Sequence, residues 1–367
     1  ALYSNTTASY NTAVGYQAAY SGTTVATGVT AIGYQSLKAN TQGYNTAIGY
    51  NSALNNTTGT VTAFGTNALL YNTTGIANTA FGGYDINGSV EAALQANTTG
   101  SYNIAVGTGA LKSNTTASNN TAVGYQAGYS NTGANNTFIG AYVGYANTSG
   151  IANAALGGNS TGTPTFYSNT TGSYNSAFGN VALQQNTSGN SNSAFGQGSL
   201  FSNSTGSANT AVGGSALYSN TGSYNTGVGA SALQANTSGA SNVALGVSAL
   251  GSNTTASNNT AVGYQAGYSN TTGSTIDAFG YKALYANTTG GGNSAFGRES
   301  LTSNTTGSNN AGIGNGALAF NTTGGSNTGV GFLALYSNTT ASQNTAVGYQ
   351  SAYSNTTGTA KDRKSVV

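Results

Sequence analysis

Cysteine, histidine, methionine and tryptophan are all absent from the 367 residues; proline occurs once, and 3% of side chains are charged. Each absence removes a class of chemistry. Without cysteine there are no disulfides and no thiolate metal sites. Without His or Cys, the commonest acid–base and nucleophilic groups are missing, and no Ser has a plausible base. A formal charge of +2 is too thin for a nucleic-acid stripe or a lysine-rich face for anionic lipid. No apolar run approaches the roughly 20 residues of a membrane span. The composition therefore points to a protein that is not an enzyme and needs no cofactor.

What is present is equally unusual. An ordinary globular domain has about 25% charged residues. A solvated coil fits no better, because 37% hydrophobic residues and 25 Tyr are too many for one, and they recur in register. The glycine of Ala-Val-Gly and its variants is the anchor. From Gly179 it steps by 17, 17 and 16, and then seven times by 17, through Gly263, Gly280 and Gly297 to Gly348. Earlier steps are mostly 16 to 18, with one of 25 and one of 22. A fixed short period sustained this way means a solenoid or array.

Two positions before the anchor, Ala occurs in 16 of 20 repeats and Gly in three more, so a small side chain is required there. The position directly before the anchor is Val, Ile, Leu or Phe throughout, as at Val262, Phe279 and Phe296. Seven positions after it, Asn occurs in 17 of 20 repeats, as at Asn270, Asn287 and Asn304. So much Gly, Asn, Thr and β-branched residue excludes helix. Short apolar runs bounded by Asn-Thr-Thr-Gly read as strands and turns. The expected fold is an all-β parallel β-solenoid of about twenty 17-residue coils. Each coil is expected to hold two short strands, near Thr-Ala-Val-Gly and near Gln-Ala-Leu-Tyr. The anchor glycine serves the first turn with φ > 0. The second uses Asn-Thr-Thr-Gly, with Asn in the left-handed region bonding its own backbone.

Stacking at about 4.8 Å per coil predicts a rod roughly 95 Å long. It also explains the missing charges, since a charged residue would stack on its own kind while Asn amides can bond along the axis. The whole of residues 1–360 reads as one repeat array with insertions near 83–95 and 158–168. Insertions leave solenoids as loops, often on a functional face, so Tyr84, Asp85, Asn87 and Glu91 form a candidate binding loop. Two acids there fall short of a calcium site. Tyr recurs after the anchor, as at Tyr16, Tyr34, Tyr50, Tyr264 and Tyr281. Such a column can bind carbohydrate or simply stabilise the coil by stacking. Residues 361–367 break the repeat. Asp362–Val367 is the translation of a widely used sequencing adapter in one frame, and the tail is set aside as an artefact. The opening Leu2-Tyr3-Ser4-Asn5-Thr6-Thr7 lies in mid-repeat, so the chain is expected to be a fragment of something longer.

Thr260-Ala261-Val262-Gly263-Tyr264-Gln265-Ala266 and Thr345-Ala346-Val347-Gly348-Tyr349-Gln350-Ser351 resemble the head repeats of YadA-like trimeric autotransporter adhesins. Similar repeats are also found in phage tail-fibre shafts. The family resemblance implies a structural or adhesive segment of an extracellular or cell-surface fibre, a homotrimer, and a host-surface, matrix or carbohydrate receptor. The alternatives are a tail-fibre shaft on a virion and an ice-binding solenoid with a flat Thr face. Side chains alternate along a strand, which leaves two packings. With Ala261 and Gly263 inside, the roll is thin and the Val262 column lies outside, where a continuous apolar stripe demands a partner. With Val262 inside against the Leu column, the solenoid stands alone as a monomer.

Overall fold

A computed structural model describes residues 1–22, 26–84, 91–158 and 164–358. It is all-β, and the chain divides into two compact units, Ala1–Asn190 and Ser191–Val367. Each unit is a parallel β-solenoid. In the first, strands run from Thr12–Val14 to Ser176–Phe178; in the second, from Ser193–Phe195 to Thr345–Val347. Each coil pairs in register with the next. Thr260 faces Asp277, Ala261 faces Ala278 and Val262 faces Phe279; Ala278 and Phe279 then face Ala295 and Phe296. The anchor glycines follow the same order, with Gly280 N–H donating to Val262 C=O and Gly297 N–H to Phe279 C=O, both at 2.8 Å.

Gly263 has φ +132°, and a Cβ built there would lie 2.5 Å from the carbonyl oxygen of Gly280. Only glycine lets successive backbones approach so closely in that conformation. The requirement repeats at every coil, which is why the anchor is the most regular feature of the sequence.

The described coils carry one strand each, where two were expected. The reason lies in the Ala-Leu pair. Ala249 and Leu250 are adjacent and both fully buried, whereas neighbours in a strand point to opposite faces. The segment solves this with consecutive turns. Ala249 N–H bonds back to Gly246 C=O and Gly251 N–H to Ser248 C=O, both at 3.2 Å. Between them, Leu250 N–H reaches Ala266 C=O and Ser252 N–H reaches Tyr268 C=O on the next coil, both at 2.9 Å. The alternation is produced by left-handed Ser248 (φ 55°) and Leu250 (φ 49°). A left-handed Leu costs roughly 1–2 kcal/mol. Burying its side chain returns about 1.5–3 kcal/mol, so the conformation is favourable only because Leu points into the core.

The left-handed position foreseen at Asn of Asn-Thr-Thr-Gly is a second difference. Those Asn residues keep negative φ, and the left-handed residues near that corner are instead Asn258, Tyr224 and their equivalents. The amide of Asn253 is used differently: its Nδ2 donates to Ala256 C=O at 3.1 Å and to Asn236 Oδ1 at 2.7 Å. The ladder continues through Asn270, Asn287 and Asn304, each Nδ2 donating to the Oδ1 of the preceding Asn at 3.0, 2.8 and 2.8 Å. A second buried Asn column runs beside it. Asn310 N–H and Nδ2 both bond Asn293 Oδ1, at 2.9 and 3.2 Å, and Nδ2 also reaches Gly324 C=O at 2.9 Å. Low dielectric makes an unpaired buried amide expensive; here the stacked coils supply two acceptors to the Nδ2 of Asn253, Asn270, Asn287, Asn304 and Asn310.

Of the two packings left open by the sequence, the small residues are inside. Ala261, Ala278 and Ala295 are fully buried, while Val262 and Phe279 are half-buried and Phe296 is exposed. The core is built from Ala261, Ala266 and the Leu column rather than from the anchor glycine, since Gly263 lies at the partly exposed corner.

Candidate functional site

Three surfaces are built by this arrangement. The first is the outer face of the parallel sheet. Its inner residue is Ala, so the flanking Thr and Val columns must point outward. Within Ser191–Val367 the apolar column runs through Phe195, Val212, Val228, Leu245, Val262, Phe279, Phe296, Ile313, Val330 and Val347 on strands paired one to the next. Exposure is 41% at Phe195, 47% at Leu245, 45% at Ile313 and 57% at Val347. The first unit has the same column, from Val14 and Ile32 to Leu156 and Phe178.

The Thr column beside it is broken. Its place is taken by Ile104, Val243 and Asp277 on three strands and by Ala or Ser on others. A second Thr column, at the Asn-Thr-Thr corner, is consumed internally. Thr254, Thr271 and Thr288 each donate their Oγ1 hydrogen to the Thr carbonyl of the next coil, at 3.1, 3.0 and 3.0 Å.

The second surface is a set of tyrosine ladders. Tyr16, Tyr34 and Tyr50 stack with ring centroids 5.2 and 5.0 Å apart, and Tyr264 stacks on Tyr281 at 5.5 Å. A parallel ladder four residues further along holds Tyr129, Tyr145 and Tyr167 at 5.2 Å per step, and Tyr268 on Tyr285 at 5.5 Å. Burial, and to a lesser degree the neighbouring phenol of Tyr145, raise the pKa of Tyr129 above its ordinary 10.0.

The third comprises two small charged clusters. Lys282 lies over the rings of Tyr281 and Tyr285 at 5.4 and 5.2 Å, and Arg298 over Tyr281 at 5.7 Å. Arg298 also pairs with Glu299 at 3.3 Å. At the foot of the first insertion, Lys112 Nζ lies 2.6 Å from a Glu91 oxygen and 5.5 Å from the Tyr129 ring centroid. Tyr84 Oη accepts from Gln95 Nε2 at 3.1 Å. Of the candidate loop residues, Tyr84 and Glu91 are thus engaged with the coil wall; Asp85 and Asn87, like residues 361–367, lie outside the described residues.

One relationship was not foreseen from the sequence. Both insertions open at the same corner, directly after an anchor glycine (Gly82 or Gly157). Both rejoin at the Leu position, where Leu94 and Phe166 are left-handed and fully buried. The signal was available, because Ala93-Leu94 restores the Ala-Leu pair; at Thr165-Phe166 the residues differ and the register is hidden. Among the described residues, no group of three or more acidic side chains gathers as a metal site, and no helix is long and apolar enough to cross a membrane. No protein-family model matches the chain, and no curated protein matches it in sequence.

Proposed function

We propose that this chain is a structural and adhesive segment of an extracellular fibre, assembled as a homotrimer along its apolar stripe. The observation that carries the reading is the unbroken column from Phe195 to Val347. Ten half-exposed apolar side chains present on the order of 600 Å², at the upper limit of the 300–600 Å² that is usual for a monomer's largest patch. A column repeating at coil spacing fits a second and third copy of itself, since identical stripes meet in register. The resemblance of Thr260–Ala266 to YadA-like head repeats supports the same arrangement. The repeats supply length and stiffness. Contact with a host surface, matrix or carbohydrate falls to the outer tyrosines and the insertions. The broken Thr column and the occupied corner hydroxyls speak against an ice-binding face.

The test is sedimentation with circular dichroism on the wild type and on Val262→Asp. A charge on the seam is buried and unpaired in the trimer, at a cost of several kcal/mol. In a single chain it stays half-solvated. The expected result is a trimeric wild type and a dissociated variant with its β signal intact. A wild type that sediments as a monomer at micromolar concentration with full β signal rejects the trimer.

A further inference from the structure

A chain without Cys, Met, His or Trp has one readily oxidised side chain left, and that is tyrosine. The fold arranges its tyrosines in two kinds of place. Some stack on an identical ring one coil away: Tyr16, Tyr34 and Tyr50, then Tyr145 on Tyr167 and Tyr268 on Tyr285, with centroids 5.0 to 5.5 Å apart and planes within 15°. Others are isolated. Tyr102 is preceded by Ala77 and followed by Asn119 at the equivalent position of the adjoining coils, and Tyr224 is likewise set between Ala208 and Ser241. Both isolated rings are exposed, 57% and 68%, and so are the stacked Tyr16, Tyr34 and Tyr50, at 61%, 41% and 51%, so the two kinds of place differ in stacking and not in access to solvent.

We propose that the stacked pairs are sites of oxidative phenol coupling, at which a one-electron oxidant such as an activated haem peroxidase joins tyrosines of successive coils into dityrosine. Each phenol loses one electron to the oxidant and its hydroxyl proton to water. The two phenoxyl radicals carry spin on their ortho carbons, and a Cε–Cε bond forms between the rings. Water-assisted transfer of the two ring hydrogens to the oxygens restores both phenols. Two electrons and two protons leave per bond, and the oxidant is reduced by two electrons. The ladder favours this step because it holds the two radicals in contact, as a high effective concentration does for any paired reactants. Partial exposure lets the rings tilt from stacked into the twisted biphenol geometry. The product ties residues 16 to 22 apart in sequence and restricts the unfolded chain, as a disulfide does.

The experiment irradiates the full chain with a tris-bipyridyl ruthenium complex and persulfate. It follows the blue fluorescence of the biphenol and maps cross-linked peptides by mass spectrometry. The expected products include Tyr16–Tyr34, Tyr34–Tyr50, Tyr129–Tyr145, Tyr145–Tyr167, Tyr264–Tyr281 and Tyr268–Tyr285, within single chains and in a yield unchanged by tenfold dilution. Tyr34→Phe is expected to abolish the first two and leave the others intact. It strands Tyr16 and Tyr50 two coils apart, and the stack of Phe332 on Tyr349 at 5.3 Å shows that the ladder accepts Phe. Tyr218, which stacks on Phe201, should stay uncoupled to that neighbour's coil. Yield that rises with protein concentration, covalent dimers as the main product, or Tyr102 and Tyr224 coupling as readily as the stacked pairs would each overturn the proposal. So would the absence of biphenol fluorescence.

Discussion

The ring of Phe138 fills the space above Gly144: a Cβ built on that glycine would lie 2.5 Å from the ring's Cδ1. Phe138 stands where other coils place Ala, and Gly144 where they place Leu. Gly128, on the preceding coil, has also lost its Leu, and a Cβ there would lie 2.8 Å from Phe138 Cδ2. One large residue thus replaces two missing ones in the same interior. Ile276 repeats the device, standing in an Asn column with its Cδ1 3.5 Å from the Cβ position of Gly267.

This exchange predicts strong non-additivity. Phe138→Ala should cost about 3–5 kcal/mol, the range for emptying an aromatic site in a core. Gly144→Leu alone should also destabilise, by overpacking against the ring. The double variant rebuilds the ordinary Ala-and-Leu coil and should recover at least about 2 kcal/mol of the summed loss, a coupling within the range for residues in contact. Chemical denaturation of the three variants measures it. Additive losses would show that the two sites do not share one space.

The two glycines Gly263 and Gly214 should respond oppositely to the same substitution. Gly263→Ala places a methyl 2.5 Å from a backbone oxygen at φ +132°. Backbone strain alone costs about 1–3 kcal/mol, and the clash adds to it. Around Gly214 a Cβ meets nothing within 4 Å. Because that residue is also outside the left-handed region, Gly214→Ala should be neutral or stabilise by up to about 1 kcal/mol through the unfolded chain. Melting curves of the pair decide the matter.

Asn287 donates from one Nδ2 to Asn270 Oδ1 and Gly290 C=O, and accepts from Asn304. Asn287→Ala strands buried partners on both sides, at about 1–3 kcal/mol each, so a loss of about 2–5 kcal/mol is expected. Solenoid stability is a nearest-neighbour sum, so hydrogen exchange should speed up chiefly in the coils of Asn270, Asn287 and Asn304. A uniform change across the chain would contradict the ladder's local role.

Ala261→Leu should destabilise by about 1–3 kcal/mol, since an overpacked core strains side chains and backbone, while Val262→Leu on the outer face should stay within about 0.5 kcal/mol in the isolated chain. Equal effects would mean that the faces are reversed.

Tyr129 provides a pH test. Its folded pKa lies above the unfolded value of 10.0 because burial, and then the Tyr145 phenol, disfavour the anion. The folded state therefore holds its proton in a window where the unfolded state has lost it. The contribution to stability is complete below pH 10 and is lost as pH rises through the folded pKa. Tyr145→Phe removes the smaller cause and should lower the Tyr129 midpoint only in part, as read by ultraviolet titration. A midpoint that falls fully to 10 would make the Tyr145 phenol the whole cause.

The sequence by itself determined the coil, its period and the column each residue type occupies. It did so because a parallel stack puts residue i over its repeat equivalent, so a requirement met once is written at every coil. Gly263, Asn270 and Ala261 are legible for that reason: a close backbone contact, a buried amide chain and a cramped interior each admit one kind of side chain. The tertiary structure alone decided the rest. It turned the Ala-Leu segment into left-handed turns, because Ala249 and Leu250 must both face inward and no strand can do that. It chose the packing with Val262 outside, because the Leu column and the Ala column together already fill the interior. It also set Phe138 against Gly128 and Gly144, three departures from the repeat that look unrelated in the sequence and become one packing solution only when the coils are stacked.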